Sequence, residues 1–209
     1  MNSKIGNYEL INSTTPTNTP TGVRALFLDR DGVINIDHGY VHQIDNFEFV
    51  DGIFDVVQSA CANNFKIVVV TNQAGIGRGL YSERQFHQLT SWMCRKFTKA
   101  GAPIDKVYFS PFHPTEGLGE YKKDDFSRKP NPGMILQAEK ELCLDLDKSI
   151  LIGDRSSDIQ AGIAAGLGLN IFFAQGSLAE VIPQQCHVIT SLLGALPFIN
   201  SHTKSLELR

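Results

Sequence analysis

The stretch that most constrains this chain is Ala25-Leu26-Phe27-Leu28-Asp29-Arg30-Asp31-Gly32-Val33. An unbroken apolar run of strand length stops abruptly at two acids one residue apart. That pattern reads as a short buried strand ending in a turn. In a parallel α/β sheet the ligand site lies beyond the carboxyl ends of the strands, so Asp29 and Asp31 would share one crevice. Gly32 supplies backbone freedom where the chain leaves the strand. A turn this sharp holds two carboxyl groups close together but pointing differently. One then suits a nucleophile or metal ligand, and the other an acid or base. Two solvated aspartates would leave the same trace, so the decision rests on the rest of the chain.

Lys66-Ile67-Val68-Val69-Val70 is a second strand, continuously apolar and β-branched. Continuous rather than alternating apolarity predicts a sheet covered on both faces. This strand ends in Thr71-Asn72-Gln73-Ala74-Gly75, where a hydroxyl, amides and backbone N–H groups can bind phosphate oxygens. Ser82-Glu83-Arg84-Gln85 is a capping box, with Tyr81 and Phe86 as its hydrophobic staple. Leu89, Trp92, Met93 and Phe97 then form the core stripe of a helix. Val107–Phe109 is a third strand, followed by a long loop from Ser110 to Ser127. Arg128-Lys129-Pro130-Asn131-Pro132 comes next, with Asn131 suited to an N-cap and Pro132 to the first helical position. Two cations before a helix start suit an anion, although a solvated basic pair reads the same way. Ser149–Gly153 is a further strand, ending in Asp154-Arg155-Ser156-Ser157-Asp158. Its helix stops at Gly166. Leu169–Phe173 and Val188-Ile189 complete the strands. Between the first strand and its helix, Asp37-His38-Gly39-Tyr40 is either a ligand-contacting loop or an ordinary connection. Asp51 is the expected cap of the helix through Phe54, Val57 and Cys61.

The 209 residues, 42% hydrophobic, accommodate one domain with a substantial core. Residues 1–22 are polar and centred on Ser13–Pro20, which predicts a flexible extension; 23–200 would form a single domain and 201–209 a tail. A net charge of −3 without a basic run argues against a nucleic-acid partner. No apolar stretch approaches membrane-spanning length, and the N-terminus has no signal-like apolar core. The four cysteines have no CxxC spacing, so they read as small buried residues in a reduced compartment. A cytoplasmic monomer is the expectation.

Two acids ending strand one, a threonine ending strand two, a lysine before a helix and Gly-Asp ending a later strand occur in that order. From Ala25 to Phe173 this resembles the haloacid dehalogenase-like phosphotransferases. Leu28–Asn35, Asp37–Val41, Val70–Gln73 with Gly75, and Arg128-Lys129-Pro130 with Pro132-Gly133-Met134 narrow the resemblance to the branch of heptose 1,7-bisphosphate and histidinol-phosphate phosphatases. The resemblance implies a three-layer Rossmann-like α/β fold, a parallel sheet with helices on both faces and no large cap domain. It implies Asp29 as nucleophile and Asp31 as acid/base. Mg²⁺ would be held by Asp29, the Asp31 carbonyl and Asp154. Thr71 and Lys129 would hold the phosphoryl group, and Arg128 and Arg155 the rest of a small phosphorylated sugar. Asp37, His38, Gly39, Tyr40, Asn72, Gln73 and Ala74 would line the sugar site, Ala74 only through its backbone. Of the two substrates the resemblance favours heptose bisphosphate, in nucleotide-activated heptose synthesis. A phospho-receiver module also uses acids, a Thr and a Lys on strand ends, but splits its acidic pair from its acceptor between strands. Many relatives carry Cys-x-His and Cys-x-Cys zinc ligands in the loop before Arg-Lys-Pro. The matching positions are Ser110, Phe112, Asp125 and Ser127, so no structural zinc is expected. Phe112 and Phe126 would turn inward to hold the loop instead.

Overall fold

Strand β1 (Ala25–Leu28) has four apolar residues because both its faces are covered. Leu26 and Leu28 face one core and Ala25 and Phe27 the other, as the strand period of two requires. The computed structural model describes residues 22–175 and 184–204, so the extension before Gly22 and residues 205–209 of the tail lie outside the described residues. Six parallel strands run in the order β3-β2-β1-β4-β5-β6, with β2 at Lys66–Asn72, β3 at Lys106–Ser110, β4 at Ile150–Gly153, β5 at Leu169–Phe173 and β6 at His187–Ile189. The chain builds outward from β1 to β3, then returns to β4 on the other side of β1. The direction of winding therefore reverses between β1 and β4, where a crevice opens at the strand ends.

Helices α1 (Ile53–Ala62), α3 (Glu83–Lys99) and α6 (Leu196–Lys204) contribute to one core, and α4 (Gly133–Leu142) and α5 (Ser156–Ala165) to the other. The three-layer architecture expected from the apolar strands is present. No inserted cap domain interrupts the described residues. The four-residue helix α2 (Ala74–Gly77) follows β2 directly.

Local signals were reliable where the partner groups were themselves local. Ser82 and Gln85 form the reciprocal capping box at the start of α3, worth about 1 kcal/mol. Gly166 ends α5 in the left-handed conformation at φ 80°. Two caps differ from expectation. Gly52, at φ 81°, rather than Asp51, precedes α1, because the chain must turn sharply there into the helix. Pro132 rather than Asn131 precedes α4; the Asn131 amide is drawn instead to the Asp125 carbonyl at 3.3 Å. Helix α6 also continues to Lys204, into the stretch expected to be tail.

Candidate active site

Asp29 emerges directly from β1, and its backbone N–H bonds the Ile152 carbonyl of β4 at 3.1 Å. The ladder between the two central strands thus extends to the acid itself. Its Oδ1 accepts from the Arg30 backbone N–H at 2.7 Å and pairs with Lys129 Nζ at 2.9 Å. Lys129 is buried. It also pairs with Asp158 at 2.6 Å and donates to the Val70 carbonyl at 2.8 Å, so three acceptors fix its three protons. Burial alone would push this ammonium down. Asp158 and Asp29 outweigh burial and hold it above its ordinary value. Asn72 sets the lysine's backbone through two hydrogen bonds, donating to the Lys129 carbonyl at 3.0 Å and accepting from its N–H at 3.1 Å.

Asp154, at the end of β4, completes a cluster with Asp29 and Asp158 in which one carboxylate oxygen of each lies within 4.8 Å of the others. Asp154 Oδ1 is buried without a hydrogen-bond partner. Burial pushes Asp29 up to about 7, against the pull of Lys129; burial and the Asp29 charge push Asp154 up to about 8. Three carboxyl groups facing one ammonium, with an unsatisfied oxygen among them, fit a hard divalent cation that takes oxygen ligands. Gly32, at φ 90°, admits the cluster: a Cβ there would lie 2.0 Å from Asp154 Oδ2.

Asp31 is held on three sides. Arg30, almost fully buried, grips it through Nε at 3.1 Å and Nη2 at 2.8 Å. Asn35 donates to Oδ1 at 3.0 Å and Gln73 to Oδ2 at 3.0 Å. Thr71, from the end of β2, lines the same cleft.

The cleft has a volume of about 540 Å³ and is lined by Asp29, Asp31, Asp37, Gly39, Tyr40, Thr71, Asn72, Ala74, Arg128, Lys129 and Arg155 among the residues expected there. Three expected residues stand elsewhere. His38 turns out to Glu48 at 3.6 Å. Gln73 is buried behind the wall, and Asp154 lies beneath the lining in the acid cluster. Arg155 and Asp37 pair with each other at 2.8 Å, bridging the loops after β4 and β1. Arg128 is anchored by Nη1 to the Phe112 carbonyl at 3.0 Å. Sequence reasoning missed Arg78, Tyr81 and His113 in the lining, and Asp158. Arg78 pairs with Glu116 at 2.9 Å and donates to the Tyr40 hydroxyl, tying three loops at the mouth. Of these only Asp158 carried a signal, as the second acid of the cluster after β4.

At the loop positions considered above for zinc, Ser127 Oγ lies 3.0 Å from Ser110 Oγ and 2.6 Å from Asp125 Oδ1. These oxygens are hydrogen-bonded to one another, and none is a thiol or imidazole. The loop is tied by this network and by Arg128, not by both aromatic rings: Phe126 is exposed rather than turned inward.

Acids and a hydroxyl at the ends of β1, β2 and β4, with a buried ammonium from the turn before α4, define a haloacid dehalogenase-like hydrolase. The HAD-hydrolase-like family model matches residues 126–178, the stretch that carries Lys129 and Asp154. A D-glycero-alpha-D-manno-heptose-1,7-bisphosphate 7-phosphatase of Burkholderia mallei is 51% identical over 176 residues, 84% of this chain and 93% of that protein. A D-glycero-beta-D-manno-heptose-1,7-bisphosphate 7-phosphatase of Haemophilus influenzae is 48% identical over 153 residues, 73% of this chain and 83% of that one. Among solved structures, a D,D-heptose 1,7-bisphosphate phosphatase from B. bronchiseptica, complexed with magnesium and phosphate, superposes with a TM-score of 0.74 at 25% identity, covering 85% of this chain and 98% of that chain. The chain belongs to the heptose-1,7-bisphosphate 7-phosphatase family, phosphoric monoester hydrolases among the haloacid dehalogenase-like hydrolases. No helix among the described residues is long and apolar enough to cross a membrane.

Proposed function

We propose that this protein removes the 7-phosphate of D-glycero-D-manno-heptose 1,7-bisphosphate through an aspartyl-phosphate at Asp29, as a Mg²⁺-dependent cytoplasmic monomer serving nucleotide-activated heptose synthesis. The observation that carries the reading is the Asp29–Lys129 pair at 2.9 Å in a cleft that also presents Asp31, Thr71 and the arginines Arg128 and Arg155. Asp29 attacks phosphorus, and Lys129 and Thr71 bind the equatorial oxygens. Asp31 gives its proton to the departing sugar oxygen. It then takes a proton from the water that attacks the intermediate, which releases phosphate and restores Asp29. Mg²⁺, held by Asp29, Asp154 and the Asp31 carbonyl, supplies charge neutralisation when bound. Arg128 and Arg155 meet the unreacted phosphate, for which Arg155 exchanges its Asp37 partner. Histidinol phosphate lacks that second phosphate. The bisphosphate should therefore give the higher kcat/KM, and equal or higher kcat/KM for histidinol phosphate would overturn the assignment.

The acid cluster makes a second expectation. Asp29 and Asp154 hold protons in the folded chain up to about 7 and about 8, whereas the unfolded chain releases them near pH 4. With folded values raised, their contribution is fully present below about pH 4 and is lost as pH rises through about 8. The Tm of chelator-treated protein should fall between pH 6 and 8.5, and saturating Mg²⁺ should remove that fall. A flat metal-free profile would mean that the cluster is not strained by charge.

The serine–aspartate network leads to a third. Tetrahedral zinc needs thiolate, imidazole or carboxylate ligands, and only Asp125 offers one. Elemental analysis after purification without chelator should find far less than one zinc per chain. Stoichiometric zinc, with a drop in Tm on its removal, would show that this loop is misaligned with that of the relatives.

A further inference from the structure

Gln73 is only 1% exposed and takes no part in lining the cleft. Its amide sits at the junction of the two groups that face the cleft from β1 and β2. Nε2 is 3.0 Å from Asp31 Oδ2 and 2.8 Å from Thr71 Oγ1, while Oε1 is 2.5 Å from the Tyr81 hydroxyl. Chemistry fixes the protons on this path. Asp31 Oδ2 already accepts from Arg30, and in the ionised form of Asp31 that takes the proton of the attacking water it can only accept, so the NH₂ end of Gln73 faces it. The second proton of that NH₂ lies on Thr71 Oγ1, which accepts it. The Thr71 hydroxyl has a single proton, and that proton is left to point into the cleft. Oε1 then faces Tyr81, whose hydroxyl must donate.

Tyr81 is built to hold that position. Its ring stacks on His42 at 4.9 Å with an interplanar angle of 7° and packs in a small core with Ile76 and Phe86. Gly75 makes the room: a Cβ there would stand 2.2 Å from the Tyr81 ring. Burial pushes the phenol up to about 12, so it keeps its proton.

We propose that Tyr81 and Gln73 form a positioning relay that presents the Thr71 hydroxyl to the transferring phosphoryl group as a donor while holding Asp31 beside it. The relay rests on the reading above, in which the phosphoryl group sits over Thr71. Neither Gln73 nor Tyr81 is a catalytic residue; both act through Thr71 and Asp31.

The test is a double-mutant cycle on inorganic phosphate binding, measured by calorimetry on Mg²⁺-loaded protein, with Thr71→Val and Gln73→Glu. Thr71→Val should weaken binding about 10-fold, the worth of one donor to an anion. Gln73→Glu turns the neighbouring donor into an acceptor that takes the Thr71 proton, so binding should weaken by about 10-fold or more. Adding Thr71→Val to Gln73→Glu should then cost less than about twofold, because the cleft has already lost the donor. An equal loss in both backgrounds would overturn the relay, as would wild-type protein that binds no phosphate. Should Gln73→Glu fail to fold, Tyr81→Phe replaces it in the same cycle. This variant keeps the ring packing and frees the amide. It should show the same non-additivity with Thr71→Val, and full additivity would again overturn the proposal. In turnover of the bisphosphate Tyr81→Phe should lower kcat about three- to tenfold with KM within about twofold, the split expected of a group acting on the transferring phosphoryl. If the wild type binds phosphate and passes the cycle but does not hydrolyse heptose bisphosphate, the proposed function fails and the relay stands.

Discussion

Asp29→Asn should abolish turnover of heptose bisphosphate, by at least about 10⁴-fold, the scale seen when a nucleophile is removed from a site that works as a unit. An amide oxygen is a far weaker nucleophile than a carboxylate, and the substitution also removes one of the two carboxyl groups that pair with Lys129. The structure adds a stability prediction to the kinetic one. Burial opposes the Asp29 charge, pushing it up to about 7. At pH 8, in the absence of metal, the neutral asparagine should therefore melt at or above the wild-type temperature, with Asp158 still pairing Lys129. Acid-quenched wild type should carry phosphate on the peptide containing Asp29, and the variant none. Wild-type turnover by Asp29→Asn would rule out the aspartyl-phosphate scheme.

Asp31→Asn should lower turnover by about 10²–10⁴-fold, the usual worth of a positioned acid/base. From its place on the turn alone, this residue would be expected to change without cost to the fold. The structure argues otherwise. Arg30 is 1% exposed and its principal charge partner is the Asp31 carboxylate. Its Nη1 is already without a hydrogen-bond partner. Removing the carboxylate leaves a buried guanidinium to carbonyl oxygens alone, which should cost about 2–3 kcal/mol, below the range for fully buried pairs because Asp31 is partly open to the cleft. Combining Arg30→Met with Asp31→Asn separates the two losses: the methionine should restore most of the Tm and none of the turnover. Recovery of turnover in the double variant would show that Asp31 contributes only through the stability of its loop.

The bridge between Arg155 and Asp37 bears on substrate choice. Two groups expected to face substrate face each other across the cleft mouth at 2.8 Å. A second phosphate carries more charge than one carboxylate and can take the Arg155 guanidinium over, whereas an uncharged substrate end cannot. On the proposed function, discrimination would lie at the mouth, away from the centre where Asp29 would attack.

Strand positions were legible in the sequence wherever burial on both faces left an unbroken apolar run. Ala25–Leu28 and Leu169–Phe173 stand as read, and β2 only runs two residues further, to Asn72. The capping box at Ser82 and the stop at Gly166 were legible for a similar reason, since their partners lie within a few residues. The placing of acids and threonine at strand ends, and of lysine before a helix, needed no more than element length and order. What a side chain does at a strand end was decided only in three dimensions. Asn72 and Gln73 look alike as polar groups beside the site, yet one grips the backbone of Lys129, 57 residues away, and the other turns inward to Asp31, 42 residues away. Tyr81 reads as the staple of a helix and also carries the hydroxyl that orients Gln73. Arg30, named in the sequence only as the residue between two acids, is among the largest fully buried side chains. Asp158 reads only as the second acid after β4; in the fold it accepts from the Arg155 N–H at 3.0 Å at the start of α5 and pairs with Lys129. For Asn72, Gln73 and Asp158 a deciding partner arrives from a different connection between elements, 57, 42 and 29 residues away along the chain. The parallel order of β2, β1 and β4 brings those long-range partners to one rim, and no local spacing along the chain records it.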